Sequence, residues 1–326
     1  MKSHYVCFEG SRVYVREEEL PPLQDQQALI RVSVSLPSVG TELAVLAGSP
    51  WEGNRLGYSS VGTVEAVGKG ATQFKVGDRL HRMTPHADYA IVPDGAGYCY
   101  RVPEGVSDQD AAFATLGAVA MHLVQRARIA LGQSVFVLGQ GSVGLLTAQI
   151  ARQAGAGLLV GVDPDATRRR HSLANGANLA IAPEKEPLAA ALAQAGADAA
   201  APVFIEVSGS SRAVQWLLDC APLHSRIVLT GTYLDEVRFN PFILIDRELE
   251  IIGAHQPKCP DAQTPYYPYS RRSNYDFFLC SLASGRLKVG PLCDGRLSPA
   301  EIPAWYEAAV NRRPRLYQPV LDWWGK

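Results

Sequence analysis

Long apolar runs are missing from this 326-residue chain. No stretch of eighteen consecutive apolar residues occurs, so no membrane-spanning helix is expected. The opening Met1-Lys2-Ser3-His4-Tyr5-Val6 lacks the apolar region of a secretory leader, and no signal peptide is expected. A charge imbalance is missing too. There are 31 Lys and Arg against 32 Asp and Glu, a net charge of −1. Neither nucleic acid nor an anionic membrane is therefore expected as a partner. Paired cysteines are absent: Cys7, Cys99, Cys220, Cys259, Cys280 and Cys293 stand far apart, with no C-x-x-C among them. In a chain of this size they read as buried or free thiols of a cytoplasmic protein. Internal repeats and low-complexity segments are absent as well. What remains is an ordinary globular composition, 47% apolar and 19% charged, long enough for two domains.

The two halves of the chain have different grammars. Residues 1 to about 115 read as all-β, with runs such as Ala28–Val34 between Gly and Pro punctuation at Pro21-Pro22, Gly40, Gly48-Ser49-Pro50, Gly57, Gly62, Gly68 and Gly77-Asp78. From about Ala118 helices alternate with strands. A helix Met121–Ala130 leads to the strand run Ser134–Leu138. Further strands are expected at Leu158–Asp163, Leu179–Ile181, Val203–Ser208, Arg226–Thr230 and Leu249–Ile252, with helix stops at Gly155, Asn175-Gly176 and Gly196. Six strands with helices between them predict a doubly wound parallel sheet, an α/β fold. After Gly253 the chain reads as irregular and aromatic, with Tyr266, Tyr267, Tyr269, Tyr275, Phe277 and Phe278. A helix Pro299–Asn311 and a strand near Tyr317–Trp323 follow, and this tail is expected to return to the first domain.

The first strand of the second half ends in Gly139-Gln140-Gly141-Ser142-Val143-Gly144 and opens into a helical pattern. In such a G-x-G-x-x-G, Gly139 permits the turn, Gly141 lets a pyrophosphate approach the backbone, and Gly144 lets helix pack on strand. The helix start at Ser142 and Val143 offers free N–H groups and a positive dipole end. The next strand ends in Asp163, 19 residues after Gly144. There a carboxylate accepts hydrogen bonds from the ribose hydroxyls of an adenosine. The combination predicts a dinucleotide site.

Gly57-Tyr58-Ser59-Ser60-Val61-Gly62 with Gly68 follows the pattern G-H-E-x-x-G-x5-G; Val76-Gly77-Asp78-Arg79-Leu80 follows V-G-D-R-V, and Val207-Ser208-Gly209-Ser210 follows A-S-G-S. On these motifs nearly the whole chain resembles the medium-chain dehydrogenase/reductases of the zinc-type alcohol dehydrogenase superfamily. The resemblance implies a GroES-like β-rich catalytic domain, 1–117 with 256–326, split around a Rossmann dinucleotide-binding domain, 118–255, with the active site in the cleft. It also implies a homodimer. Ser208, Gly209, Thr230 and Gly231 would line the nicotinamide ribose and ring, and the segment around Ala254, from Gly253 to His255, would meet the carboxamide.

Against that family the ligands of zinc are what the chain lacks. The places of the usual ligands hold Val39, Tyr58, Ser59 and Thr115, and the four-cysteine structural lobe has no counterpart. Valine cannot ligate, and hydroxyls are poor zinc ligands. No zinc is expected, either on these residues or on His81 and His86 of the shortened loop. Without metal, His86 or Tyr58 is expected as the acid–base group, with Thr41 assisting. Imidazole titrates near neutral pH, and a phenol of lowered pKa can donate to a developing alkoxide. The relay histidine of the family is replaced by Ala44. Glu42 and His122 read as structural.

Asp163 would repel a 2′-phosphate, so NAD is favoured over NADP. Arg168, Arg169 and Arg170 either contact adenosine phosphates or form an exposed helix face. The substrate is a small molecule. Trp51, Tyr58 and the tyrosines 266–269 suggest an aromatic, hydroxyl-rich wall, and Arg271 and Arg272 are candidates for an anionic group. By family analogy the leading expectation is a zinc-independent, NAD(H)-dependent oxidation of a secondary alcohol of polyol, sugar or cyclitol type. A zinc-free enoyl or quinone reductase and an inactive dinucleotide-binding protein stay open.

Overall fold

Alternation builds the β-rich unit. Along the strand Gln27–Ser35, Ala28, Ile30, Val32 and Val34 point into the core, while the residues between them are half-buried. This strand pairs antiparallel with Ser60–Val67 on one side and with Tyr89–Pro93 and Pro319–Asp322 on the other. Arg79–Arg82 and Cys99–Arg101 extend the sheet beyond Ser60–Val67, and Gly295–Leu297 extends it beyond Pro319–Asp322. A hairpin Lys2–Glu9/Arg12–Glu19 stands beside it. The core joins Val6, Ile30, Leu56 and Leu80 to Ile302, Trp305 and Tyr306 of the helix Ile302–Val310. The computed structural model describes residues 1–94, 98–194, 201–265, 267–311 and 317–325. Gly196 and Tyr266 therefore lie outside the described residues.

Two readings of this half need correction. The region is not all-β: Val39–Leu46 is a helix, hidden in the sequence by its shortness and its Gly and Pro neighbours. Glu42 accepts the Ser38 N–H at 2.8 Å and closes its first turn. The aromatic stretch after Gly253 is not irregular throughout, because Arg271–Ala283 is a helix. Tyr275, Phe278 and Leu279, spaced i, i+3, i+4, are its buried face.

The second half forms a six-stranded parallel sheet. Its spatial order is Leu179–Ile181, Leu159–Val162, Val135–Leu138, Val203–Glu206, Arg226–Leu229, Glu250–Gly253. This is the doubly wound order, and the reversal falls between Val135–Leu138 and Val203–Glu206. Ligands bind outside the carboxyl ends of strands at such a point. The four residues of each of these two strands and of Leu159–Val162 are all buried, as expected of strands covered on both faces. The helix expected at Met121–Ala130 runs from Ala114 to Ala127. The chain divides into a unit Met1–Thr115 with Tyr275–Lys326 and a unit Leu116–Asn274. The expected boundary at 255/256 follows the last strand, whereas the unit runs on to Asn274. Arg271 shows why: its guanidinium donates to the carbonyls of Pro257 and Cys259 and pairs with Asp261 at 3.0 Å. This buried arginine straps its own loop, which leaves no role for it as an anion receptor. No helix among the described residues is long and apolar enough to cross a membrane.

Candidate active site

The glycine turn is built for close approach. A Cβ on Gly144 would lie 1.8 Å from the Gly139 carbonyl oxygen, so helix Ser142–Gln153 meets the turn only as glycine. A Cβ on Gly141 would meet nothing within 4 Å, so this face of the turn is open. Gly141 stands at the N-cap of this helix, whose positive dipole end faces the open side of the turn. Asp163 follows the neighbouring strand and is 4% exposed. One carboxylate oxygen accepts the Gln140 N–H and the other the Asp165 N–H, each at 2.8 Å. Both oxygens are thereby fixed beside the turn. Arg169 donates to the carbonyls of Asp163 and Pro164 and braces the same corner. Arg168 donates its backbone N–H to the capping residue Asp165.

At the reversal point Gly139 packs on Ser208: a Cβ there would lie 2.9 Å from the Ser208 backbone. Gly209, at φ +69°, faces Gly231, whose Cβ would fall 2.3 Å from the Gly209 Cα. Thr230 donates its N–H to the Glu206 carbonyl, and Ala254 is buried with its N–H on Leu229. The sequence reading missed Glu206 and Tyr233. The Glu206 carboxylate is completely buried and accepts the Ser208 N–H at 2.7 Å, the Ser208 hydroxyl and the Tyr233 phenol. Its signal was present: like Asp163, it is a lone acid ending an apolar run. His122, in the same unit, accepts the Tyr267 phenol at Nδ1, 2.6 Å away. Burial, with Arg126 and His255 nearby, pulls it down to about 4, so it is neutral.

In the β-rich unit the expected residues separate. Tyr58 donates to the Ser38 hydroxyl and lies 3.2 Å from the Thr41 hydroxyl, while Ser38 and Thr41 are 3.4 Å apart. The helix Val39–Leu46 holds Thr41 one turn from Ser38, and the loop after Leu56 brings Tyr58 to them. Ser38 had no signal in the sequence beyond its spacing from Thr41. The expected lowering of the Tyr58 pKa is corrected: burial pushes it up to about 12, against the hydroxyl bonds and helped by the Glu42 charge. Tyr58 is a phenol that keeps its proton. Trp51 stands beside it, ring centroids 6.1 Å apart.

His86 is enclosed. Its side chain is 0% exposed, and Nε2 donates to Glu42 at 3.3 and 3.4 Å. Tyr306 donates to the same carboxylate. Gly57, at φ +96°, lies flat on the imidazole, where a Cβ would fall 2.5 Å from the ring. A group so covered cannot reach a substrate in this conformation. His86 therefore holds together the segments carrying Ser38 and Tyr58.

The residues at the family's metal positions make a poor zinc site. Val39 packs against the apolar core. Ser59 donates to the Ala112 carbonyl at 2.7 Å and accepts from His81 Nε2 at 3.0 Å. Thr115 donates to the Tyr58 carbonyl and also faces His81 Nε2, at 3.2 Å. His81 thus turns an N–H, not a lone pair, toward these hydroxyls. Burial, and then Arg82, pulls its pKa down to about 3. His81 and His86 belong to separate networks. Among the described residues no three His, Cys, Asp or Glu side chains are grouped to hold a metal.

Residues 24–133 match the alcohol dehydrogenase GroES-like domain family and residues 142–267 the zinc-binding dehydrogenase family. The chain is 28% identical over 276 residues to a probable D-xylulose reductase A of Aspergillus terreus, covering 74% of each. It is 27% identical over 268 residues to the D-guloside 3-dehydrogenase of Escherichia coli, covering 80% of this chain and 75% of that one. The crystal structure of galactitol-1-phosphate dehydrogenase from Escherichia coli superposes with a TM-score of 0.80 at 18% identity, over 99% of this chain and 100% of that one. With the GroES-like sheet and the doubly wound sheet both in place, this chain belongs to the medium-chain dehydrogenase/reductase superfamily of zinc-type alcohol dehydrogenases, as an NAD(P)-dependent oxidoreductase.

Proposed function

We propose that this chain is a zinc-independent, NAD(H)-dependent oxidoreductase that interconverts a secondary alcohol of polyol or sugar type with its ketone. The observation that carries the reading is the Tyr58–Ser38–Thr41 hydroxyl trio, of which Tyr58 stands at a place where the resemblance puts a metal ligand. The relatives named for sugars and sugar alcohols support the substrate class. Asp163 supports NAD: its carboxylate, fixed by two backbone N–H groups, would oppose a 2′-phosphate.

The bound nicotinamide supplies the hydride, and the protein supplies orientation and a proton. Tyr58, protonated at every physiological pH, is the donor for the ketone oxygen during reduction. Ser38 and Thr41 orient the phenol. In alcohol oxidation its oxygen takes the alcohol proton as its own proton passes to Ser38, and Ser38's to the half-buried Thr41 and on to solvent; the reverse relay reprotonates it in reduction. Glu42, His86 and Tyr306 form the buried base on which Ser38 is set. The helix start at Ser142 and Val143 would hold the pyrophosphate, and Asp163 the adenosine ribose.

The test is kinetic and elemental. Wild-type protein should carry no stoichiometric zinc, bind NADH more tightly than NADPH and turn over a polyol or ketose. Tyr58→Phe should lower kcat by about 10²–10⁴ with NADH affinity unchanged. One zinc per chain that turnover requires, or full turnover by Tyr58→Phe, overturns the reading.

A further inference from the structure

We propose that Glu206 is a positioning residue of the cofactor site: its buried carboxylate ties the Ser208–Gly209 turn to the Gly231–Tyr233 segment and so shapes the surface that receives the nicotinamide half of the dinucleotide. This rests on the reading that the unit Leu116–Asn274 binds NAD(H).

Glu206 ends the strand at the reversal point of the sheet. It has no exposed surface, yet three donors from two separate loops converge on it. They are the Ser208 N–H at 2.7 Å, the Ser208 hydroxyl and the Tyr233 phenol. A carboxylate placed so deep is costly unless fully bonded. Burial raises its pKa, and the Ser208 and Tyr233 bonds oppose that rise. The two loops also meet at the close backbone approach of Gly209 and Gly231, and further out the Ser211 hydroxyl donates to the Asp235 carbonyl at 2.8 Å. The Glu206 carboxylate is the side-chain tie nearest the glycine contact, and without it the Ser208–Gly209 turn and the Tyr233 ring lose their common anchor. The adenosine side does not depend on this acid: Asp163 is held by Gln140 and Asp165. The pyrophosphate turn has its own contact of Gly144 with Gly139, although Gly139 also packs on the Ser208 backbone.

That independence makes the proposal testable with two probes. NADH occupies the whole site, and AMP only the adenosine half. Wild-type protein, Glu206→Gln and Tyr233→Phe are titrated with both, by fluorescence for NADH and calorimetry for AMP. Glu206→Gln keeps the shape but replaces one acceptor oxygen by a donor. It should weaken NADH about tenfold, the loss of about one charge-assisted hydrogen bond. Tyr233→Phe, the milder change, should weaken NADH about fivefold. AMP should bind all three proteins with Kd equal within about twofold, which also shows that the variants are folded. Equal weakening of AMP and NADH would mean that Glu206 supports the fold rather than the nicotinamide surface, and overturns the proposal. Unchanged NADH binding in both variants overturns it as well. Failure of wild-type protein to bind NADH would instead sink the cofactor reading on which the proposal stands.

Discussion

Replacing Glu42 tests whether the buried cluster beneath the hydroxyl trio is a structural clamp. The side chain has no exposure. Its oxygens receive the Ser38 N–H at 2.8 Å, the Tyr306 hydroxyl and the His86 Nε2–H at 3.3 Å. Glu42→Ala strands all three donors where water does not reach. Each buried donor left unpaired costs about 1–3 kcal/mol. With three donors stranded and partial relaxation, a loss of about 4–6 kcal/mol is expected. Glu42→Gln is a different case. It keeps one acceptor oxygen for Ser38 and Tyr306, and its amide nitrogen then faces His86. The imidazole can answer by moving its proton to Nδ1, which has no hydrogen-bond partner. A cost of about 1–2 kcal/mol follows. Urea unfolding of wild type and both variants measures the difference. The Ala variant should lose at least twice what the Gln variant loses. Equal losses, or an Ala variant within about 1 kcal/mol of wild type, would refute the clamp.

Two further outcomes are expected. His81 sits near 3 in the folded chain against 6.5 for a free imidazole, so the unfolded chain takes up its proton first as pH falls. Stability is complete above about pH 6.5 and falls below it by up to about 1.4 kcal/mol per pH unit, down toward pH 3. Urea midpoints between pH 7.5 and 4 should show this decline, and His81→Gln should flatten it; an unaltered slope would count against the buried neutral imidazole. Asp163→Ser should weaken NADH about tenfold and narrow its advantage over NADPH, measured by fluorescence titration; an undiminished preference for NADH would show that Asp163 does not set it.

Much of the dinucleotide half was readable because its chemistry is local. Gly139, Gly141 and Gly144 lie within six residues, and the acid Asp163 ends the next strand. The same pattern, an acid closing an apolar run, marks Glu206, whose partner Tyr233 lies 27 residues away and needs the sheet to bring it near. The β-rich half was harder. The helix Val39–Leu46 is too short for its period to show, and the helix Arg271–Ala283 hides its buried face in a run of aromatics. His86 was readable as a histidine suited to proton transfer; only its enclosure by Gly57, Glu42 and the core around it makes it a clamp.

The sequence by itself determined the pairing of a GroES-like sheet with a doubly wound sheet and the glycine turn of the dinucleotide half. These follow from residue type and short-range spacing, which covalent chemistry preserves. The tertiary structure alone decided how Tyr58, Glu42 and His81 are partnered and in what state of charge Tyr58 and His81 stand. Glu42 meets Tyr306 across 264 residues, His81 meets Thr115 across 34, and Tyr58 meets Ser38 across 20. Protonation there is set by burial and by facing partners, which raise the Tyr58 phenol and lower the His81 imidazole. Both are properties of the folded interior and belong to no residue taken singly.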